Sequence, residues 1–201
     1  MKPLSRVAAA LAALSAAAAL AAPEEFNVDP THTYPAFAVR HLGISTQRGR
    51  FDATTGKILI DRAAKKGSID IAIDTTSVST GSPKIDVTLR GEDFFNVEKH
   101  PKMYFKSTSV EFDGDRPKSA RGEFTLLGVT RPVTVTIDSF GCTRLPFFVR
   151  TTCGADVNTI IHRSEFGMNA YAAFLSDDVR ISVQIEAVKV EPAAEMPAAG
   201  G

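Results

Sequence analysis

Beyond residue 25 the apolar positions of the chain recur mostly at every second residue, the spacing that sends successive side chains to opposite faces of a β-strand. Ile69, Ile71 and Ile73 alternate with Ser68, Asp70, Ala72 and Asp74, and Met103 and Phe105 with Lys102, Tyr104 and Lys106. Val133, Val135 and Ile137 alternate with Thr134, Thr136 and Asp138, and Val179, Ile181, Val183 and Ile185 with Arg180, Ser182, Gln184 and Glu186. Each segment predicts a strand with one wet and one dry face. Further strands are predicted over 37–40, 50–61, 107–112, 122–127 and 156–162, separated by turn-forming runs such as Asp113-Gly114-Asp115 and Gly128-Val129-Thr130-Arg131-Pro132. About eight or nine strands result. One short helix interrupts them: Ser82 offers an N-cap, Pro83 suits the first helical position, Ile85 and Leu89 stand one turn apart, and Gly91 can end it.

Consecutive antiparallel strands without covering helices leave two edges, and closing the sheet on itself removes them. The predicted fold class is therefore all-β: a closed or nearly closed antiparallel eight-stranded β-barrel with one short helix. Eight strands enclose a space that side chains fill or that holds one slender ligand. An outer-membrane barrel is the topological rival, but Trp 0 and Tyr 3 leave little for two interfacial aromatic girdles. The ring inventory is dominated by Phe 13, which needs no hydrogen-bond partner and suits a dry interior. Lys+Arg 23 against Asp+Glu 23 gives no basic excess, which argues against a nucleic-acid partner.

The first 21 residues are excluded from the fold. Lys2 and Arg6 precede an apolar run from Val7 to Leu20, and Ala19-Leu20-Ala21 forms an A-x-A site, so 1–21 reads as a cleavable secretory signal peptide. The run is too short and its flanks too small for stable membrane insertion. The barrel domain is assigned to 22–188, and the Ala/Pro/Gly-rich stretch 189–201 to a disordered tail. Export also decides how the only two cysteines read: in an oxidising compartment Cys142 and Cys153 are expected to form a disulfide, since their spacing is not C-x-x-C and no second pair completes a metal site.

Candidate chemistry is sparse. His32, His41, His100 and His162 show no ligand spacing, and no nucleophile elbow or phosphate-binding glycine loop occurs, so neither a metal nor a catalytic set is expected. The most distinctive polar cluster is Arg40-His41 with Arg48-Gly49-Arg50-Phe51, where a short connection brings cationic strand ends together. It suits a phosphate at a barrel mouth. The alternative is pairing with acidic neighbours such as Asp29, Asp52 and Asp86. In Arg163-Ser164-Glu165-Phe166-Gly167-Met168 the arginine follows a strand while Phe166 and Met168 can dip inward, or the segment forms an ion-paired turn.

Several ordered motifs resemble the YceI-like family of bacterial periplasmic proteins. They are Asp29-Pro30-Thr31-His32-Thr33, the stretch from Phe37 to Ser45, Arg48-Gly49-Arg50-Phe51, Asp93-Phe94-Phe95-Asn96-Val97-Glu98-Lys99-His100-Pro101, Leu126-Leu127-Gly128-Val129-Thr130-Arg131-Pro132-Val133 and Arg163-Ser164-Glu165-Phe166-Gly167-Met168. The resemblance runs from about Phe26 to Ala187 and implies a lipocalin-like barrel whose lumen holds a polyisoprenoid chain, such as a polyprenyl phosphate or quinone precursor. Two departures stand out: Thr88 occupies the family's usual histidine position beside Asp86, Leu89 and Arg90, and the cysteine pair is not general.

The expected function is thus that of a periplasmic or secreted lipid-binding protein and not an enzyme. Its lining is expected from Phe37, Val39, Ile71, Ile73, Phe94, Phe95, Phe105, Phe124, Val135, Phe166 and Met168, and its head-group contacts from Arg40, His41, Arg50, Arg90 and Arg163. No cofactor is expected beside the lipid, no nucleic acid binds, and a homodimer is compatible with the reading. The rivals are an enzyme acting on an isoprenoid or quinone with His41 or His162 as acid or base, and an interaction or chaperone barrel packed solid by its own phenylalanines.

Overall fold

The computed structural model describes residues 23–144 and 150–191. Its strands are β1 (Glu24–Val28), β2 (Tyr34–His41), β3 (Ser45–Phe51), β4 (Thr54–Asp61), β5 (Lys66–Asp74), β6 (Val78–Ser79), β7 (Lys102–Asp113), β8 (Arg116–Leu126), β9 (Val129–Arg144), β10 (Thr151–His162) and β11 (Leu175–Lys189), with one α-helix, α1 (Pro83–Arg90). The neighbours run β4, β5, β7, β8, β9, β10, β11, and β1 pairs with both β4 and β11, so the ring closes with every contact antiparallel. β2 continues the line of β1 along β11, from Val28 opposite Ala187 to Tyr34 opposite Gln184. Counting β1 and β2 as one broken stave gives a closed eight-stranded barrel. β3 and β6 extend it beside β2, next to α1.

The break at 29–33 is stabilised by side chains that replace ladder bonds. Thr33 is fully buried; its hydroxyl donates to the Glu186 carbonyl at 3.2 Å and accepts from the Glu186 N–H at 3.1 Å. Three long strands each carry an extra, bulged residue: Thr108 in β7, Lys118 in β8 and Asp138 in β9.

The strand periodicity is thus confirmed, with local differences. The segment 50–61 divides into the end of β3 and β4, because the Asp52 N–H turns to the Ser77 carbonyl. Met103–Phe105 and 107–112 join into one strand, β7. β1 and the two-residue β6 carried too little alternation to be recognised. Helix α1 starts after Ser82, although the serine side chain makes no capping bond, and stops at Gly91. Lys189 belongs to β11 and the Val190 N–H donates to Glu25, so the pairing runs past the expected domain limit at 188. The segment read as a signal peptide, 1–21, and residues 192–201 of the expected tail lie outside the described residues.

The inward faces form two apolar clusters. The larger surrounds Phe51, Ile71, Ile73, Phe94, Phe95 and Phe124 near the α1 end. The smaller gathers Phe26, Ile60, Cys153 and Ala187, with Phe140 packed on it, toward the opposite end. Cys142 and Cys153 face each other in register on β9 and β10 with Cα atoms 4.0 Å apart, and they form a disulfide. Two glycines set where the rings lie. A Cβ on Gly49 would stand 2.4 Å from Cζ of Phe37, its cross-strand partner, and one on Gly122 would stand 2.7 Å from Cζ of Phe105. Each ring occupies space that a side chain on the neighbouring strand would fill, which holds it against the wall and away from the axis.

An apolar lumen with a cationic mouth

Between these clusters the barrel is hollow. A cavity of about 850 Å³ runs through the interior, within the range of small-molecule sites. Its wall is contributed by the inward positions of β2, β4, β5, β7, β8, β9, β10 and β11, with α1 and Phe94-Phe95 at one end. Because the strand period is two, the same residues that alternate in sequence supply one continuous dry surface. Toward the far end the lining includes Val110, Pro117, Phe140 and Cys153. Toward α1 it includes exposed Arg48, Lys84, Ile85 and Thr88, so the cavity reaches the surface there.

The charged lining is of one sign. His41, Arg48, Lys84 and Arg163 border the cavity, and among the described residues no carboxylate does. Arg48 donates only to the Thr46 carbonyl, at 3.3 Å, and neither Arg48 nor Lys84 forms a salt bridge with a described residue. Two cations at an apolar opening focus positive potential on whatever enters it.

Ten of the eleven residues expected to line the lumen do so: Phe37, Val39, Ile71, Ile73, Phe94, Phe95, Phe105, Phe124, Val135 and Met168. Phe166 does not; it is 1% exposed and packs edge-on behind Phe124, with ring centroids 5.5 Å apart. The expected head-group set is dispersed. Arg50 pairs with Asp52 at 2.7 Å and lies over the Tyr34 ring, while Arg40 binds the Gly43 carbonyl and the Thr46 hydroxyl. Arg90 donates to the carbonyls of Thr76 and Val78, both at 2.9 Å, fastening α1 to β6. None of these three borders the cavity. His41 does, and so does Arg163, but the latter is 4% exposed and its guanidinium is spent on the carbonyls of Met168, Ala170, Leu175 and Ser176. It knits the segment that follows β10 to the start of β11. The adjacent Asp177 carboxylate accepts from the Ser164 N–H and hydroxyl, both at 2.8 Å, and those bonds hold its pKa below the ordinary value.

Sequence reasoning missed Lys84 as a mouth residue, and it noticed Arg48 only as part of a cationic run. Lys84 carries no local signal; its position follows from α1 being laid across the barrel end. The remaining histidines stand apart from the lumen. His162 pairs with Asp178 at 2.9 Å. His32 bonds Asp29 at 2.8 Å, with Glu186 close enough that one ligand atom from each of the three lies within 4.8 Å of the others. The Asp29 carboxylate raises the His32 pKa, and bonds from Thr31 and His32 lower that of Asp29.

A closed β-barrel with an apolar, surface-connected lumen defines a lipocalin-like barrel. A family model described as the YceI-like domain matches residues 26–187, and the chain belongs to that family. It is 33% identical over 178 residues to Protein YceI of Escherichia coli O157:H7, covering 87% of this chain and 91% of that protein. It is 32% identical over 179 residues to a UPF0312 protein of Serratia proteamaculans, covering 89% and 92%. Among solved structures, a Campylobacter jejuni YceI protein superposes with a TM-score of 0.65 at 27% identity, covering 76% of this chain and 90% of that one. A polyisoprenoid-binding domain from Saccharophagus degradans superposes with a TM-score of 0.61 at 16% identity, covering 82% and 98%, which shows a shared fold.

Proposed function

We propose that this protein is a carrier that sequesters one elongated apolar molecule of the polyisoprenoid class, with its polar end at the α1 mouth. The observation that carries the reading is the lumen: about 850 Å³ enclosed by apolar side chains inside a closed ring. Leaving such a surface wetted is costly, and a flexible hydrocarbon chain removes it from water at about 25 cal/mol per Å². A linear chain suits a barrel axis, and a compact ligand would leave the Phe140 end empty. The cations Arg48 and Lys84, with His41, favour an anionic head such as a phosphate. Family membership and the shared fold with a polyisoprenoid-binding domain point the same way. The reading needs no metal or prosthetic group. The disulfide favours an oxidising compartment, so the proposed location is the periplasm.

The test is native mass spectrometry of the protein purified from its own cells, followed by solvent extraction of any bound mass. A stoichiometric polyprenyl species is the expected result, lost in Phe105→Asp, where a carboxylate would stand inside the lumen. An empty protein that also fails to take up added polyprenyl phosphate would refute the carrier reading, and turnover of such a lipid would replace it with an enzyme.

A further inference from the structure

The barrel end that carries the mouth is apolar on its outside as well. Leu42 and Ile44 at the β2–β3 tip, Ile85 and Val87 on α1, and Tyr171 and Phe174 in the connection to β11 all stand in solvent, with Ile44 79% and Val87 68% exposed. Three contacts hold these segments together. The Leu42 N–H donates to the Phe174 carbonyl at 2.7 Å, the Tyr171 ring stacks on Phe94 at 5.8 Å, and the Phe95 N–H donates to Leu89 of α1 at 2.9 Å. Other exposed large apolar residues, such as Leu59 and Ile160, are scattered over the barrel wall.

Two features separate this rim from incidental exposure. Leu42 and Tyr171 sit at positive φ, 53° and 56°, a conformation unfavourable for bulky side chains. The backbone is thus held in a costly shape at two tips that present apolar groups to water. Arg48 and Lys84, which border the lumen beside these tips, have no acidic partner among the described residues, whereas of the acids at the same end Glu92 pairs with Lys99, Asp178 with His162 and Asp177 with Ser164, and Asp93 and Glu165 stand exposed. The Arg40 guanidinium on the same hairpin bonds Gly43 and Thr46 and no carboxylate among the described residues, and Asp86, the acid of α1, is taken up by the Thr80 N–H and hydroxyl, both at 2.7 Å.

Apolar tips set beside an unpaired Lys and Arg suit a surface that dips into an interface and meets anionic head groups. We propose that the α1 end of the barrel docks transiently on an anionic phospholipid bilayer, with Ile44, Val87 and Phe174 entering the head-group region. The lumen mouth then faces the membrane, and a lipid passes between leaflet and cavity without crossing water. This inference rests on the carrier reading for its purpose, but binding to a bilayer is measured independently of cargo.

The experiment is flotation of the purified protein with vesicles of phosphatidylcholine alone and of phosphatidylcholine mixed with phosphatidylglycerol. Cargo content is measured by native mass spectrometry on the same samples, and mass in solution by light scattering. Binding to the phosphatidylglycerol vesicles is expected, falling about tenfold for each of Ile44→Glu, Val87→Glu and Phe174→Glu, with cargo content unchanged because none of the three lines the cavity. Cargo present without vesicle binding would overturn the docking proposal and leave the carrier reading standing. Vesicle binding indifferent to the three substitutions would overturn it too, as would a dimer in solution that these substitutions dissociate, since a second copy would then cover the rim. Vesicle binding lost in the variants by a protein that never holds lipid would retain the docking surface and remove the carrier reading.

Discussion

Ala155 stands on the lumen face of β10, between cross-strand neighbours Phe140 and Ile185, which also line the cavity. It lies two residues from Cys153, toward the end opposite α1. Ala155→Phe would project a ring into space that is vacant in the barrel, so no side chain need be displaced, and phenylalanine favours a strand more than alanine does. The ring takes about the room of one isoprene unit. Burial of that unit is worth roughly 2–3 kcal/mol gross, so a chain long enough to fill the lumen should bind about 30- to 150-fold more weakly. A short chain that stops before β10's far half should bind as before. The assay is calorimetric titration of wild-type and variant protein with a short and a long polyprenyl phosphate, after confirming an unchanged melting transition. Equal weakening of both ligands, or no weakening of the long one, would refute the orientation argued above.

Three further outcomes follow from particular contacts. Arg163→Ala should destabilise the fold by about 3 kcal/mol in denaturant titration, because four carbonyls lose a charged donor inside a segment that is nearly dry; a loss under ~1 kcal/mol would show that water replaces it. Reducing Cys142–Cys153, or replacing both by serine, should cost about 3 kcal/mol through the freed loop of the unfolded chain, read as a lower denaturation midpoint. His32 should titrate above its ordinary ~6.5 by NMR and return there in Asp29→Asn. Its raised native pKa means that its contribution is complete below ~6.5 and fades as pH rises through the native value, whereas the lowered Asp29 contributes above ~3.9 and is lost as pH falls through its own native value. The pair is fully made only between those limits; a His32 titration identical in the variant would remove the link.

What the sequence determined by itself was everything that depends on local periodicity. A period of two in Ile69–Ile73, Val133–Ile137 and Val179–Ile185 dictates which side chains share a face, so the fold class and most of the lining were legible before any coordinates. Turn chemistry and the Ser82-Pro83 start placed the helix for the same reason. The family motifs then aligned the whole domain. The tertiary structure decided what periodicity cannot carry: where an arginine's donors go. Along the chain Arg40, Arg50, Arg90 and Arg163 read either as head-group cations or as partners of nearby groups such as Asp52, and the structure spends three on backbone carbonyls or a hydroxyl and Arg50 on Asp52, because turns close by in sequence fold those partners back onto them. Lys84 became a mouth residue only because α1 lies across one end of the ring. That the lumen is hollow was likewise undetermined by composition. Thirteen phenylalanines could have filled it, and it stays open because rings such as Phe37 and Phe105 are seated over glycines on neighbouring strands.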